Sequence, residues 1–446
     1  MNLFSVQSVR WALCCPMLLV LLVSSRAALA QTLRYVKPAA TGTGTGASWI
    51  DASGDLQAMI TASAATDQVW VAGGVYKPGT VRTASFAMKN GVAIYGGFVG
   101  SETLLSQRVL TNPLSTTLSG EIGNLATTTD NSYHVISNPV GLTTTAVLDG
   151  FVITGGRADG SGFFNNSGGG MYNNGKGTGN GCSPLARNCL FSGNVANVGG
   201  AIYNDGSSGG NSSPVLTNCA FQGNNATVGG AMYNYGYFGN SSPILTNCSF
   251  QGNSAGSGGG GVLYNYGESG MSSPSLTNGV VWGNGGANTF VNSIASITTR
   301  YSLFESSVTS YTTGPGNLTA IASPFASTTA TLLSATALAI NAGDPATTTA
   351  TAGTIDLAGS PRFTGGRIDM GAYEFQLPPE VFSLKNGSWT DNSLWSAGRL
   401  PLAGERVRLK HSVTIPANYT ALGSRLLYDP LGRLIYTPGG RLRLGQ

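Results

Sequence analysis

The apolar positions of this chain recur neither every second residue nor every three to four residues over long stretches. They recur about every thirty. Leu216 and Phe221 are five apart, as are Leu245 and Phe250. Strict strand alternation would put residues five apart on opposite faces of a sheet. A bend at Asn218-Cys219 and at Asn247-Cys248 returns both to one side, and asparagine tolerates the left-handed backbone of such a corner. The surrounding pattern repeats without gaps at its core. Each copy runs Ser-Pro, Asn-Cys, Phe-x-Gly-Asn, Gly-Gly, Tyr-Asn, starting at Ser183-Pro184, Ser213-Pro214 and Ser242-Pro243, with a degenerate copy at Ser273-Pro274. Units of this length cannot bury a core alone and must stack on their neighbours. Short strands with Asn and Gly corners, one set per coil, predict an all-β chain forming a parallel β-helix.

Stacking coils at the roughly 4.8 Å spacing of paired strands would align equivalent side chains. Asn188, Asn218, Asn247 and Asn278 form one expected ladder, and Asn194, Asn224, Asn253 and Asn284 a second. Tyr172, Tyr203, Tyr233 and Tyr264 form a third. Stacked amides hydrogen-bond along a ladder and stacked rings pack well. The tyrosines read either as a structural stack or as a platform for sugars. Loops after each Tyr-Asn should project from one side and carry Tyr235, Tyr237, Phe238 and Tyr266 as candidate binding residues. Cys189, Cys219 and Cys248 keep the repeat spacing and read as stacked, half-buried thiols, with Gly279 in the next copy; the state of Cys182 is open.

The ends differ from the repeats. Arg10, the apolar run Trp11 to Val23 and Ala28-Leu29-Ala30 have the order of a secretory signal peptide over residues 1–30. No later run reaches the roughly 18 apolar residues of a membrane-spanning helix. An exported protein, extracellular or at the cell surface, is expected. Leu56, Met59 and Ile60 share one helical face, which suits a short N-terminal capping helix. Residues 377–380 read as a linker. Residues 381–446 hold nine Lys or Arg against three acids, while residues 31–380 carry a net −4. Arg406-Val407-Arg408-Leu409-Lys410 alternates as a half-exposed strand would. The basic tail reads as solvated strand faces or as a patch for acidic glycans or lipid head groups.

The Gly-Gly-Ala-Ile piece at Gly199 and the Phe-x-x-Asn pieces resemble the repeats of the chlamydial polymorphic outer-membrane proteins. More broadly the chain resembles bacterial right-handed parallel β-helix repeat proteins of the pectate-lyase-like superfamily. Ser48-Trp49, Val69-Trp70-Val71-Ala72-Gly73-Gly74-Val75-Tyr76 and Leu148-Asp149-Gly150-Phe151-Val152-Ile153 follow that group's order. Asn341-Ala342-Gly343-Asp344, Asp356-Leu357-Ala358-Gly359 and Ile368-Asp369-Met370-Gly371-Ala372-Tyr373-Glu374 resemble the closing segment of surface β-helix proteins with variable anchors. The resemblance spans about residues 32–376. It implies a right-handed solenoid, surface display, and a role for Asp344, Asp356, Asp369 and Glu374 in closing the β-helix; capping with backbone hydrogen bonding is the first reading of these acids, calcium binding the second and catalysis the third. Ser388-Trp389 and Leu394-Trp395-Ser396 are similar to the start of a small β-module of secreted proteins from gliding bacteria.

Composition narrows the chemistry. The 446 residues are only 9% charged and include 65 glycines, which excludes a helical bundle. A hydrophobic share of 41% with 16 Phe, 17 Tyr and 6 Trp argues against disorder. His134 and His411 are too scattered for a histidine metal site. Gly252-Asn253-Ser254-Ala255-Gly256 matches a hydrolase elbow, but Ser254 occupies a variable repeat position with no histidine near it. Gly170 to Lys176 misses a phosphate loop, because Gly177 stands where Ser or Thr is needed. Glycoside hydrolysis uses paired carboxylates and a lyase needs a base, often beside calcium. Between residues 160 and 290 the only charged residues are Lys176, Arg187, Asp205 and Glu268; Asp149, Arg157 and Asp159 could cluster one coil earlier. The reading is therefore a monomeric, adhesin-like β-helix that binds glycans or cell surfaces without catalysis or cofactor and does not bind nucleic acid. The alternative is a polysaccharide lyase or glycoside hydrolase on the same scaffold.

Overall fold

A computed structural model describes residues 31–111, 114–286, 288–328, 330–364, 367–376, 380–402 and 405–444. The expected signal segment and residues 377–379 of the expected linker lie outside them. The body is a right-handed parallel β-helix, the hand that parallel crossovers take in roughly 98% of cases. Among the described residues four sheets run along it. A ten-stranded sheet extends from Leu33–Val36 to Thr312–Thr313, and a nine-stranded one from Gly74–Tyr76 to Leu318–Ala320. A six-stranded sheet runs from Ile136–Asn138 to Asn288–Ser293, and a four-stranded one from Arg157–Ala158 to Ser254–Ala255. Equivalent residues pair in register. Ala186, Leu216, Leu245 and Leu276 form one interior file, and Phe191, Phe221, Phe250 and Val281 another. The three phenyl rings stack 5.1 and 4.8 Å apart.

The corner between the two files is made by asparagine. Asn188, Asn218, Asn247 and Asn278 have φ between 51° and 54°, in the left-handed region. Their amides bond in series, Asn218 Nδ2 to Asn188 Oδ1 at 3.2 Å, Asn247 to Asn218 at 3.0 Å and Asn278 to Asn247 at 2.9 Å. A second series joins Asn194, Asn224, Asn253 and Asn284 at 2.9–3.0 Å. A third was not foreseen. Asn138, Asn173, Asn204, Asn234, Asn265 and Asn292 bond at 2.7–2.8 Å on the inner face, directly after the outward tyrosines. A buried amide without a partner is costly, so such files hold the coils in one register.

The thiols of Cys182, Cys189, Cys219 and Cys248 are free and fully buried, rather than half-buried as expected for the three repeat cysteines. Burial pushes Cys182 and Cys248 up to about 12 and makes them unreactive. At Gly279 a Cβ would lie 2.7 Å from the Leu276 methyls, so that side chain fills the space a thiol takes elsewhere. The short helix Leu56–Ala62 is capped by Asp55, whose carboxylate accepts from the Ala58 N–H, and it buries Leu56 and Ile60 in the main core.

The segment expected to close the end of the β-helix runs along its flank instead. Residues 341–364 and 367–375 form a strap over the corner between the ten- and nine-stranded sheets. Gly371 N–H donates to Asn278 O, Ala372 N–H to Ser249 Oγ, and Asn218 Nδ2 to Ala352 O. The reason is an apolar stripe on the outside of the nine-stranded sheet. Val152, Leu190, Ala220, Ser249, Val280 and Leu303 are in register there. Leu357, Ala372, Tyr373, Met370, Leu333 and Phe325 pack on that stripe. The strap's acids stabilise its own turns. Asp356 accepts from Ala358, Ser360 and Glu374 N–H groups, Asp369 from Asn341 and Phe375, and Glu374 from Asp369. They surround the fully buried Arg362 guanidinium, which bonds Gly371 O and faces Glu374 at 3.9 Å. Asp344 pairs with Arg300.

The basic tail is itself a short parallel solenoid. Glu380–Phe382, Arg406–Leu409 and Arg425–Tyr428 form one sheet, and Gly387–Ser388, Ser412–Ile415 and Arg433–Tyr436 a second. Thr420–Gly423 and Arg441–Leu444 form a third. Glu380, expected in the linker, lies in the first strand because it pairs with Arg406 and Arg408 of the next coil. Val381, Trp389, Leu394, Trp395, Val407, Leu409, Val413 and Ile415 make a separate core.

Asn218→Leu strands two neighbouring amides and two strap carbonyls and puts a branched side chain at a left-handed corner. Urea unfolding should show a loss of about 2–3 kcal/mol. Thr217→Ala, one residue earlier and outward, should cost less than about 0.5 kcal/mol. Equal costs would refute the inward role of the corner amide.

A second expectation concerns pH. Burial pushes Glu374 from its ordinary 4.5 up to about 7, and raises Asp356 and Asp369. The folded strap therefore binds protons that the unfolded chain releases. The stability this gives is complete below the unfolded value and is lost as pH rises through about 7. Urea midpoints should fall between about pH 5 and about pH 8, and Glu374→Gln should flatten that fall.

Candidate functional site

The six-stranded sheet turns its tyrosines outward because Asn173, Asn204, Asn234 and Asn265, one residue on, are claimed by the inner amide file. Tyr172, Tyr203, Tyr233 and Tyr264 stack with centroids 5.3, 5.4 and 5.0 Å apart and planes within 15°. The file is not uniformly accessible. Phe163 packs on Tyr203 and Tyr235, and Phe164 on His134 and Tyr172. Tyr172 and Tyr203 are consequently buried, while Tyr233 and Tyr264 stay partly exposed. Tyr235 and Tyr266 occupy the next outward position on the same strands, in register with Asp205.

The four candidate residues come together. Tyr235 lies 5.6 Å from Tyr266 and 6.0 Å from Tyr237, and Tyr237 meets Phe238 edge-on at 4.5 Å. Phe238 sits at φ 52°, which turns its ring out so that 54% of it is exposed. Tyr266 donates to Glu268, and that bond pushes its hydroxyl up to about 12. Burial also raises Tyr233 and Tyr235 above the ordinary phenol value. Asp205 is buried and accepts from Tyr172 Oη at 3.1 Å and Ser207 Oγ at 2.6 Å. The face thus offers ring surfaces and phenol hydroxyls, and among the described residues no lysine or arginine stands between them. Phe163, Phe164 and Asp205 were not among the candidates. An adjacent Phe pair in the Gly-, Ser- and Asn-rich stretch 159–170 is the signal that would have found the first two.

A second feature lies under the strap. A cleft of about 500 Å³ opens between Thr349–Ile355 and the outer face of the ten-stranded sheet at Arg187, Thr217 and Thr246. At one end Asp149 accepts from Arg108 Nη2 at 2.8 Å, Arg187 Nε at 2.6 Å and Asn188 Nδ2 at 2.9 Å. Both cations face the Tyr95 ring, at 5.1 and 6.0 Å. The expected grouping of Asp149 with Arg157 and Asp159 does not form. Asp159 pairs with Arg157 and Arg82 two sheets away, because register sets Asp149 beside Arg187. Burial pulls the Arg187 guanidinium down, but the Asp149 charge outweighs it and holds the group above its ordinary value. Arg187 therefore cannot take a proton, and both Asp149 oxygens are occupied.

Elsewhere the catalytic candidates are spent on structure. Ser254 Oγ accepts from Asn225 Nδ2 at 2.6 Å. His134 is bonded to Gly168 O, and burial pulls it down to about 4. His411 is bonded to Ser383. Among the described residues no three His, Cys, Asp or Glu side chains are placed to hold a metal ion.

No protein-family model matches the chain, and no curated protein matches it in sequence. Solved structures do. Pectate lyase Pel9A is 14% identical over 78% of this chain and 97% of its own, with a TM-score of 0.41. A pectin methylesterase from Aspergillus niger is 16% identical over 67% and 89%, with a TM-score of 0.26. At these scores neither bears on chemistry, and the β-helix assignment rests on the stacked parallel sheets.

Asp149→Asn leaves the buried Arg108 guanidinium without its counter-charge and should cost about 3–5 kcal/mol in chemical denaturation. Arg187→Ala removes a half-exposed partner and should cost about 1 kcal/mol or less.

Proposed function

We propose that this protein is an exported, monomeric β-helix that binds neutral glycans on cell surfaces or in the surrounding matrix, without catalysis. The contiguous face of Tyr233, Tyr235, Tyr237, Phe238, Tyr264 and Tyr266 carries this reading. Pyranose rings present apolar C–H faces to aromatic rings, while their hydroxyls meet phenols. The scarcity of charge there favours neutral sugars over acidic ones, and over nucleic acid, whose phosphates need Lys and Arg. The signal-like first thirty residues and the repeats that resemble chlamydial surface proteins support display outside the cell.

One observation favours the second reading, a polysaccharide lyase or glycoside hydrolase: the cleft over Arg187. Its chemistry is weak, since the guanidinium stays protonated and the single carboxylate is saturated.

The intact protein should bind a neutral polysaccharide from a panel of glucans, mannans and xylans, with affinity unchanged between low and high salt. Each lost ring interaction is worth about 0.5–1.5 kcal/mol. Tyr235→Ala with Tyr266→Ala should therefore weaken binding about 5- to 150-fold in isothermal calorimetry. Release of reducing ends or unsaturated products that disappears in Arg187→Ala would replace this reading with the enzymatic one.

A further inference from the structure

The tyrosine file is longer than the part of it that solvent reaches. It starts two coils earlier, at Tyr172 and Tyr203, and the turn over residues 160–167 covers those two rings. Phe164 meets Tyr172 edge-on at 4.9 Å. Phe163 meets Tyr203 edge-on at 5.4 Å and Tyr235 at 5.9 Å. The cover is lightly held. Among the described residues the hydrogen bonds of residues 160–165 stay within the turn. They run from Gly160 N–H to Asn165 O, Ser167 N–H to Phe164 O, Ser167 Oγ to Phe163 O and Asn165 Nδ2 to Ser161 O. The turn meets the tyrosines through ring contacts, and Phe163 and Phe164 are themselves 50% and 49% exposed.

One atom beneath the cover lacks a partner. Tyr172 Oη donates to Asp205 Oδ2 on the next coil at 3.1 Å. Register puts Tyr235 where Tyr203 would need the same acceptor. Tyr203 is fully buried, and its hydroxyl has no hydrogen-bond partner among the described residues. An unpaired buried hydroxyl is costly, and two half-exposed phenyl rings recover only part of what full burial would give. An occupant that brought both an apolar face and hydroxyl groups would satisfy Tyr235 and Tyr203 together.

We propose that the Phe163–Phe164 turn is a displaceable cover over a further sugar subsite, where a long β-1,4-linked neutral glycan takes the place of Phe163 and accepts the hydrogen bond that Tyr203 Oη lacks. This rests on the reading of the exposed face as a site for neutral glycans. The linkage follows from the shape of the file. Its rings advance one per coil at 5.0–5.4 Å along parallel strands in register. An extended β-1,4 chain runs straight along such a file, whereas an α-1,4 chain curls away from it. A short sugar fills the exposed rings and leaves the cover in place; a longer one reaches Tyr203. The cover thus sorts glycans by length.

The probes are the disaccharides and hexasaccharides of the β-1,4-linked glucan, mannan and xylan series, titrated into the full-length protein by calorimetry. The hexasaccharide of at least one series should bind, with the disaccharide, too short to reach the cover, as its reference. Phe163→Ala, at an exposed ring, should raise hexasaccharide affinity relative to that reference about two- to tenfold. Tyr203→Phe should lower it about two- to tenfold. Because the hydroxyl it removes has no partner, Tyr203→Phe should leave the urea midpoint unchanged or raise it. If no sugar of any series binds, the reading of the exposed face and this inference fall together. If sugars bind but either variant leaves hexasaccharide affinity unchanged, or shifts both lengths equally, the cover alone is overturned. A lower urea midpoint for Tyr203→Phe would also overturn it, since the hydroxyl would then be bonded in the folded protein.

Discussion

Everything in the body depends on the asparagine corner that lets one coil sit in register on the next. A parallel solenoid has no hairpins to set register, and a slip of one residue would turn every inward side chain out. The left-handed φ of Asn188, Asn218, Asn247 and Asn278 turns the chain without breaking the inner apolar face. Their amides then tie each corner to its equivalents. The same amides supply seats on which the strap rests, through Asn218 to Ala352 and Asn278 to Asp344, and the Asn278 backbone carbonyl adds a bond from Gly371 N–H. Corner, core and outer cover are thus one arrangement. The tyrosine face follows from it as well, since rings stack only where register is exact to a residue.

What could be read in advance was whatever repeats. The five-residue spacing of Leu216 and Phe221 and the Asn-Cys pairs define a coil because a period of about thirty makes their equivalents visible. The grouping of Tyr235, Tyr237, Phe238 and Tyr266 follows from the same period. The inner file through Asn173, Asn204 and Asn234 is equally periodic, but periodicity alone does not say that these residues face inward and the adjoining tyrosines outward. Non-periodic contacts were hidden. Asp149 meets Arg108 and Arg187 across 41 and 38 residues, through register no local pattern reveals. The tail has coils of unequal length, so Arg406–Leu409 could be read as an alternating strand while its parallel partners could not. The end closure expected of the strap rests on its resemblance to a closing segment and not on any pattern in its own residues. The outer stripe it covers is spread over Val152, Leu190, Ala220, Val280 and Leu303, one residue per strand.

The few charges divide sharply by role. Asp149, Asp356, Asp369, Glu374 and Arg362 are buried and fix local geometry, at a desolvation cost that their hydrogen bonds and opposite charges offset. The repeat faces are nearly free of charge. The tail gathers most of the excess cations, and its first two coils pair many of theirs internally. A neutral binding face and a basic terminal module can therefore respond to different partners and different ionic conditions without interfering.

The strap also alters how the molecule comes apart. A bare solenoid is close to a one-dimensional chain of nearest-neighbour contacts, which frays from its ends coil by coil. Here Asn218 is bonded to Ala352 across 134 residues of sequence, and Leu110 and Leu357 share one core. Coils far apart along the axis are laced to a single returning segment. Losing an inner coil then dislodges the segment from all the others, so the unit of unfolding grows from one rung to the whole strapped stretch. That cooperativity must be reached late, after the coils and the strap have all been made, which trades slower assembly for a body that yields all at once rather than by peeling.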